Sequence, residues 1–214
     1  MDKDQASKAA PHLATIAGTI IFLKSLPEFR RGIRNAVRGY WTGTFDQLHA
    51  VDALMTAIEG SFPKAWKLGA AECGITPADY TNDEKNELSR RVNGQWVFAA
   101  DFLARIVPKS QGGKLRAAFA QSEIWIARYE EIRNVARVMA CKNKPLEWVL
   151  GVAEHCSSCV KLSGKVKRAD WWRESGILPR QPGAGYLECG GWRCQCSLVR
   201  TDKPLSRGAM PRLP

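Results

Sequence analysis

The sequence predicts a mainly helical body carrying a small, loop-rich β module near its C-terminal end. Three observations carry that expectation. Apolar residues recur at helical spacing through the first two thirds of the chain, the pattern changes at Pro145 where Leu, Trp and Val crowd into a short run, and five of the seven cysteines fall between Cys156 and Cys196. The boundaries that follow are a helical body over 1–147, a cysteine-rich module over 148–200 and a tail over 201–214. A chain of 214 residues is long enough to bury a core of its own.

Residues 1–12 read as a frayed start, with Pro11 suited to a first helical turn. Ala14 to Lys24 is apolar nearly all round, which implies burial on several sides, in this body or against another subunit. Pro27 then interrupts, and a helix is expected from about Glu28 to Tyr40. On it Phe29, Ile33 and Val37 form one face and Arg30, Arg34 and Arg38 a parallel row. That row reads either as a solvated face or as a contact for phosphate or an acidic neighbour. Phe45, Leu48, Val51, Met55 and Ile58 mark a helix ending at Gly60, and Pro63 opens a separate short piece reaching Glu72.

Thr81-Asn-Asp-Glu84 matches a capping box, so a helix should start there and run to about Val107, buried through Leu88, Val92, Trp96, Ala99, Leu103 and Ile106. After a loop over 108–113, the longest helix should run from Lys114 to about Cys141. Its core stripe is Trp125, Tyr129, Ile132, Ala136 and Met139. Arg128, Arg133 and Arg137 lie off that stripe, and the pairs Glu130–Asn134 and Arg133–Arg137 fit an exposed side. His12 and His49 have no visible partners, and Cys73 and Cys141 read as small apolar residues.

Leu146 to Val152 suits a strand, Gly164 to Arg168 a hairpin limb, 176–185 an irregular loop and Ser197-Leu-Val a last strand. Within this stretch stand Cys156-x-x-Cys159 and Cys189-Gly-Gly-Trp-Arg-Cys194-Gln-Cys196. Thiolates two residues apart can share one ion, and a second group beyond a loop completes a tetrahedron of sulfur around zinc. A structural zinc held by four of Cys156, Cys159, Cys189, Cys194 and Cys196 is therefore expected, with Cys194 and Cys196 as alternatives for one position. Gly190 and Gly191 would permit the sharp turn between them. His155 is read as a support or surface residue, because its side chain should diverge from that of Cys156. Disulfides among the same residues and unliganded thiols are the competing readings. Against disulfides stand the odd cysteine count and a start, MDKDQASKAAPH, unlike the basic start of a signal peptide. A redox CxxC lacks its βαβ context, and a catalytic zinc would need a vacant position that five sulfurs do not leave. No Ser-His-Asp, HExxH or Walker pattern is present, so no catalytic residue and no enzymatic role is expected. Trp171, Trp172 and Trp192 should cover the module's own core, the other reading being anchors at a protein contact.

The formal net charge is +11, and the last third is the more basic, with eleven Lys/Arg against five Asp/Glu over 149–214. Such an excess favours an anionic partner, nucleic acid or acidic protein. Arg30, Arg34, Arg38, Lys165, Lys167 and Arg168 are the candidate contacts. No membrane span is expected, because the longest apolar run, Leu13 to Leu23, is about half the ~20 residues needed.

The order of these features has a counterpart. A basic helix ending Arg38-Gly-Tyr-Trp-Thr-Gly43 and a helical middle lead to Trp148 and to His155-Cys156-x-x-Cys159-x-x-Leu162-x-Gly164. With a closing Cys194-Gln-Cys196 before Leu198, the succession resembles the phage Mu F-like head morphogenesis (minor head protein) family. Members carry a CxxC followed by L-x-G, a proline-containing loop and a terminal His-x-x-Cys-Arg-Cys-type cluster. Here Cys189 stands in place of that histidine and Gln195 in place of the arginine. The motif likeness covers 148–198, and over 28–140 it is architectural. The resemblance implies a minor structural component of a tailed-phage head, located in the virion and in the host cytoplasm during assembly. It would be part of a multi-copy assembly with portal and capsid proteins, near packaged DNA. A zinc-stapled nucleic-acid-binding protein is the alternative.

Overall fold

The computed structural model describes residues 25–152, 154–192 and 194–214. The run Leu13–Leu23, expected as a buried or partner-facing helix, lies outside those residues, as do Pro11 and His12. The body consists of α1 (25–42), α2 (Gln47–Ala71), α3 (Asn82–Asn93), α4 (Gln95–Ala104) and α5 (Leu115–Cys141). The module adds β1 (Pro145–Val149), α6 (Ser157–Leu162), β2 (Val166–Arg168), α7 (Ala169–Glu174) and β3 (Ser197–Arg200). The chain is thus mainly helical with a small three-stranded sheet near its C-terminal end, as the hydrophobic patterning predicts.

Periodicity located the helices better than it located their breaks. Pro27 does not interrupt α1, because its ring and missing N–H bear on the turn before it. Asp46 caps α2, its carboxylate accepting from the His49 backbone N–H at 2.8 Å and meeting His49 Nδ1 at 2.8 Å, so His49 does have a partner. α2 then runs unbroken through Gly60 and Pro63, where two helices were expected. A proline inside a helix costs about 3 kcal/mol. Here Ile58, Phe62, Ala65 and Trp66 around it are each fully buried, and burying side chains of the Ile or Phe class contributes about 1.5–3 kcal/mol apiece. Packing along the stripe outweighs the local defect.

The opposite happens after the capping box. Thr81 Oγ1 accepts from the Glu84 N–H at 3.2 Å, and the Glu84 carboxylate accepts from the Thr81 N–H at 2.8 Å, starting α3 as predicted. The single helix expected to reach Val107 instead divides at Gly94. Gln95 turns inward and donates to the Arg91 carbonyl at 2.8 Å. Trp96, expected in the core, is 42% exposed beside exposed Val97 and Phe98, and the core is reached through Ala99, Leu103 and Ile106.

α5 matches its expected span and carries Trp125, Tyr129, Ile132 and Ala136 into the core. Its supposed exposed side is covered, however: Asn134 and Arg137 are buried at 1% and 3% exposure, because the module lies against them. α2 and α5 pack closely at Gly69, where an added Cβ would lie 2.1 Å from the Arg133 carbonyl oxygen. Just past α2, Cys73 forms a disulfide with Cys141, the last residue of α5, with Cα atoms 5.2 Å apart. These two cysteines are therefore a cross-link between helix ends, not the small apolar fillers their isolated settings suggest.

β1 is the central strand of the sheet, paired antiparallel with β2 on one side and β3 on the other. Trp148 and Trp172 are fully buried with ring centroids 5.8 Å apart, and Trp172 Nε1 donates to the Leu146 carbonyl at 3.1 Å. Trp172 covers the module's core as expected, whereas Trp192 is 48% exposed and lies over the guanidinium of Arg128 on α5. The tail lines the open edge of β2: Val166 N–H donates to Ser206 Oγ, and Ser206 N–H donates to the Val166 carbonyl, both at 2.9 Å. An edge strand so covered cannot pair with another chain there. One continuous buried core runs from Phe29 and Ile33 through Trp66 and Tyr129 to Trp148, Trp172 and Leu198.

Candidate metal centre

Three segments bring the cysteine sulfurs together. Cys156 is the N-cap residue of α6 and Cys159 lies one turn in, buried, so the CxxC sits on a helix start. Cys189 arrives on the irregular loop, and Cys194 and Cys196 lead into β3. The loop is tied to the helix start beside the site. The Glu188 carboxylate accepts from the Ser157 N–H at 3.0 Å and the Ser157 hydroxyl at 2.5 Å, while the Glu188 N–H donates to Ser158 Oγ at 3.2 Å. These bonds hold Cys189, the next residue, against Cys156. The turn that follows does require glycine. Gly190 and Gly191 have φ of 57° and 75°, and a Cβ on Gly191 would meet the Gln181 carbonyl oxygen at 1.9 Å.

All five predicted cysteines converge, and they do so as two triads. The sulfurs of Cys156, Cys159 and Cys189 lie within 4.8 Å of one another, as do those of Cys159, Cys194 and Cys196, so Cys159 belongs to both. Cys159 Sγ and Cys194 Sγ are 3.8 Å apart. Two sulfurs at 2.3 Å from a tetrahedral ion stand about 3.8 Å from each other, so this edge already has metal-site dimensions. These cysteine groups are positioned to hold a metal ion.

The electrostatics favour a cation. Hydrogen bonds from its Cys159 and Cys194 neighbours pull Cys196 down to about 3 against its burial, with help from the Gly151 backbone N–H and the indole of Trp148. That indole N–H is buried without a conventional partner, and the adjacent sulfur of Cys196 is the acceptor its surroundings offer. Hydrogen bonding to Cys194 and Cys196 pushes Cys159 strongly upward, with burial and then the charge of those two sulfurs adding to it. Burial likewise keeps Cys189 above the ordinary thiol range. Protons thus hold together a set of sulfurs that a metal ion would hold better, by replacing them.

His155, read from sequence as a support or surface residue, faces the cluster. Its Nδ1 is 3.8 Å from Cys196 Sγ, and its Nε2 lies 3.2 Å from the Gly151 carbonyl. The signal for it was adjacency to the CxxC, which the expected divergence of neighbouring side chains argued away. Arg180, in the left-handed region at φ 63°, also escaped the sequence reading. It donates to the Cys196 and Gln195 carbonyls at 2.9 and 2.7 Å and fastens the last cysteine pair.

The predicted cationic contacts lie elsewhere. Arg30 and Arg34 reach Glu123 of α5 at 3.4 and 3.0 Å, and the guanidinium groups of Arg34 and Arg38 stack over Phe119. Lys165 and Lys167 are half-buried at β2, Lys167 donating to the Ser206 carbonyl at 3.0 Å, and Arg168 is exposed. Among the described residues no helix is long and apolar enough to cross a membrane. No family model, no curated protein and no solved structure matches the chain.

Proposed function

We propose that this chain is a minor structural protein of a tailed-phage head, acting in head assembly near portal or inner capsid, with a structural zinc site that staples its C-terminal module. The clustering of Cys156, Cys159, Cys189, Cys194 and Cys196 in one place in the module is the observation that carries the reading. It supports a stapled frame of the kind implied by the CxxC-L-x-G to CxC resemblance. Zinc is the ion best suited to thiolate-rich, tetrahedral, redox-silent sites.

The surface pairing of Arg30 and Arg34 with Glu123 and the stacking of Arg34 and Arg38 over Phe119 favour a structural role over nucleic-acid binding, since paired and stacked arginines offer less to phosphate. Virion association is tested by banding particles on a density gradient and quantifying the chain by mass spectrometry. A fixed copy number per head that survives high salt is expected; a chain found wholly outside the particles overturns the reading. Elemental analysis of the purified protein tests zinc separately.

A further inference from the structure

We propose that the cysteine site is binuclear: Cys159 supplies a thiolate that bridges two divalent ions, and His155 is a ligand of the second. The inference rests on the metal reading above and deepens it. The sulfurs do not surround one point, but form two sets of three that share Cys159. One tetrahedral ion uses four donors and would leave at least one of five converging thiolates unliganded. Two ions with a shared sulfur use all five.

The second set takes its fourth donor from His155, whose ring stands beside one of its sulfurs, that of Cys196, and closes on the other two when an ion is bound. In a tetrahedral site, sulfur at 2.3 Å and imidazole nitrogen at 2.0–2.1 Å from the ion lie about 3.6 Å apart. His155 Nδ1 stands 3.8 Å from Cys196 Sγ. Its other ring nitrogen faces the Gly151 carbonyl at 3.2 Å, and a ligating histidine characteristically donates its second N–H to such a carbonyl, leaving the first nitrogen's lone pair for the metal. Gly151 is itself fixed in place, for a Cβ there would meet the Gln195 carbonyl oxygen at 2.4 Å. The first set has three sulfurs, and its fourth position is left to a water.

Charge supports two ions over one. One divalent ion on four thiolates leaves two net negative charges in a half-buried module, with the fifth thiol protonated, whereas two ions on five thiolates leave one. The guanidinium of Arg180, bonded to the carbonyls of Gln195 and Cys196, supplies the balancing positive charge.

The test is native mass spectrometry of the untagged, full-length protein, purified without added metal and then titrated with zinc. Two zinc ions per chain are expected. One ion per chain overturns the binuclear site and leaves the zinc staple standing, whereas no bound ion removes the staple itself. Replacing zinc with ¹¹³Cd reads the bridge directly. Two resonances split by mutual coupling through the shared sulfur are expected, and two unsplit resonances refute the bridge. In His155→Ala one resonance should move and the other stay; a spectrum unchanged by that substitution removes His155 from the ligand set.

Discussion

Arg137 on α5 grips Glu72 at the end of α2 with two of its nitrogens while a third donates to the Leu198 carbonyl of β3. Asn134 completes the clasp, accepting from Arg137 Nη1 at 2.8 Å and from the Leu198 N–H at 3.3 Å, and Arg133 binds the same Glu72 carboxylate at 2.8 Å. The strand that follows the last cysteine is therefore clipped to the seam between the two longest helices.

Removing Arg137 should loosen that seam. Arg137→Met leaves the Glu72 carboxylate partly buried with Arg133 alone, and the Leu198 carbonyl without its donor. Breaking a buried pair from one side costs about 3–5 kcal/mol, and because Glu72 retains a quarter of its exposure we expect about 2–4 kcal/mol. Urea unfolding of wild type and variant measures it; a loss under about 0.5 kcal/mol would mean the clasp contributes little.

The same pair sets an acid dependence. Burial pushes the Glu72 carboxyl up, but Arg137 and Arg133 more than offset it and hold the group below its ordinary value of 4.5. A carboxylate with a depressed folded pKa contributes stability that is fully present above the unfolded value and is lost as pH falls through the folded one. Wild type should therefore exceed Glu72→Gln in stability at pH 7, and the gap should close only as pH falls below the ordinary carboxylate value. Urea melts of both proteins across that range check the sign, and a constant gap would contradict it.

Cys73–Cys141 closes a loop spanning 68 residues of sequence separation. Loop-closure entropy for that length corresponds to about 4 kcal/mol. Oxidised protein in denaturant, stripped of metal, should expose five titratable thiols, rising to seven after reduction. Cys73→Ala with Cys141→Ala should lower the melting temperature of oxidised protein and leave no further effect of reductant. Seven thiols before reduction would show that the pair is not oxidised in the purified chain.

The staple predicts a local failure. In Cys156→Ser or Cys189→Ser, limited proteolysis should cut the 176–196 loop several-fold faster, while helical circular dichroism stays near that of wild type. β1 and β3 remain held by Trp148, Trp172 and the Arg137 clasp, which do not need the metal. Full protease resistance of that loop in both variants would sink the structural role of the site.

Local chemistry was legible where a few neighbouring residues decide it. Thr81 and Glu84 announce a helix start because their side chains meet their own backbone three residues away, and the α5 stripe is visible because residues three and four apart share a face. The CxxC and CxC spacings picked out four sulfurs of the site for the same reason, and Cys189 was read with the second pair because only four residues separate it from Cys194. Some conclusions required residues far apart in sequence. Whether α2 survives Pro63 depended on what covers Phe62 and Trp66, and the fate of Trp96 on which side chains of α4 the body covers. Arg137 looked solvated until β3, 61 residues later, lay over it. Cys73 and Cys141 had no reason to pair until two helix ends were brought within 5.2 Å. The division of five sulfurs into two triads, with His155 beside one of them, is likewise a product of how three segments cross. Composition and periodicity determine which elements form and which residues have the chemistry. Packing, which acts between residues distant in the chain, decides which faces are buried and which donors meet.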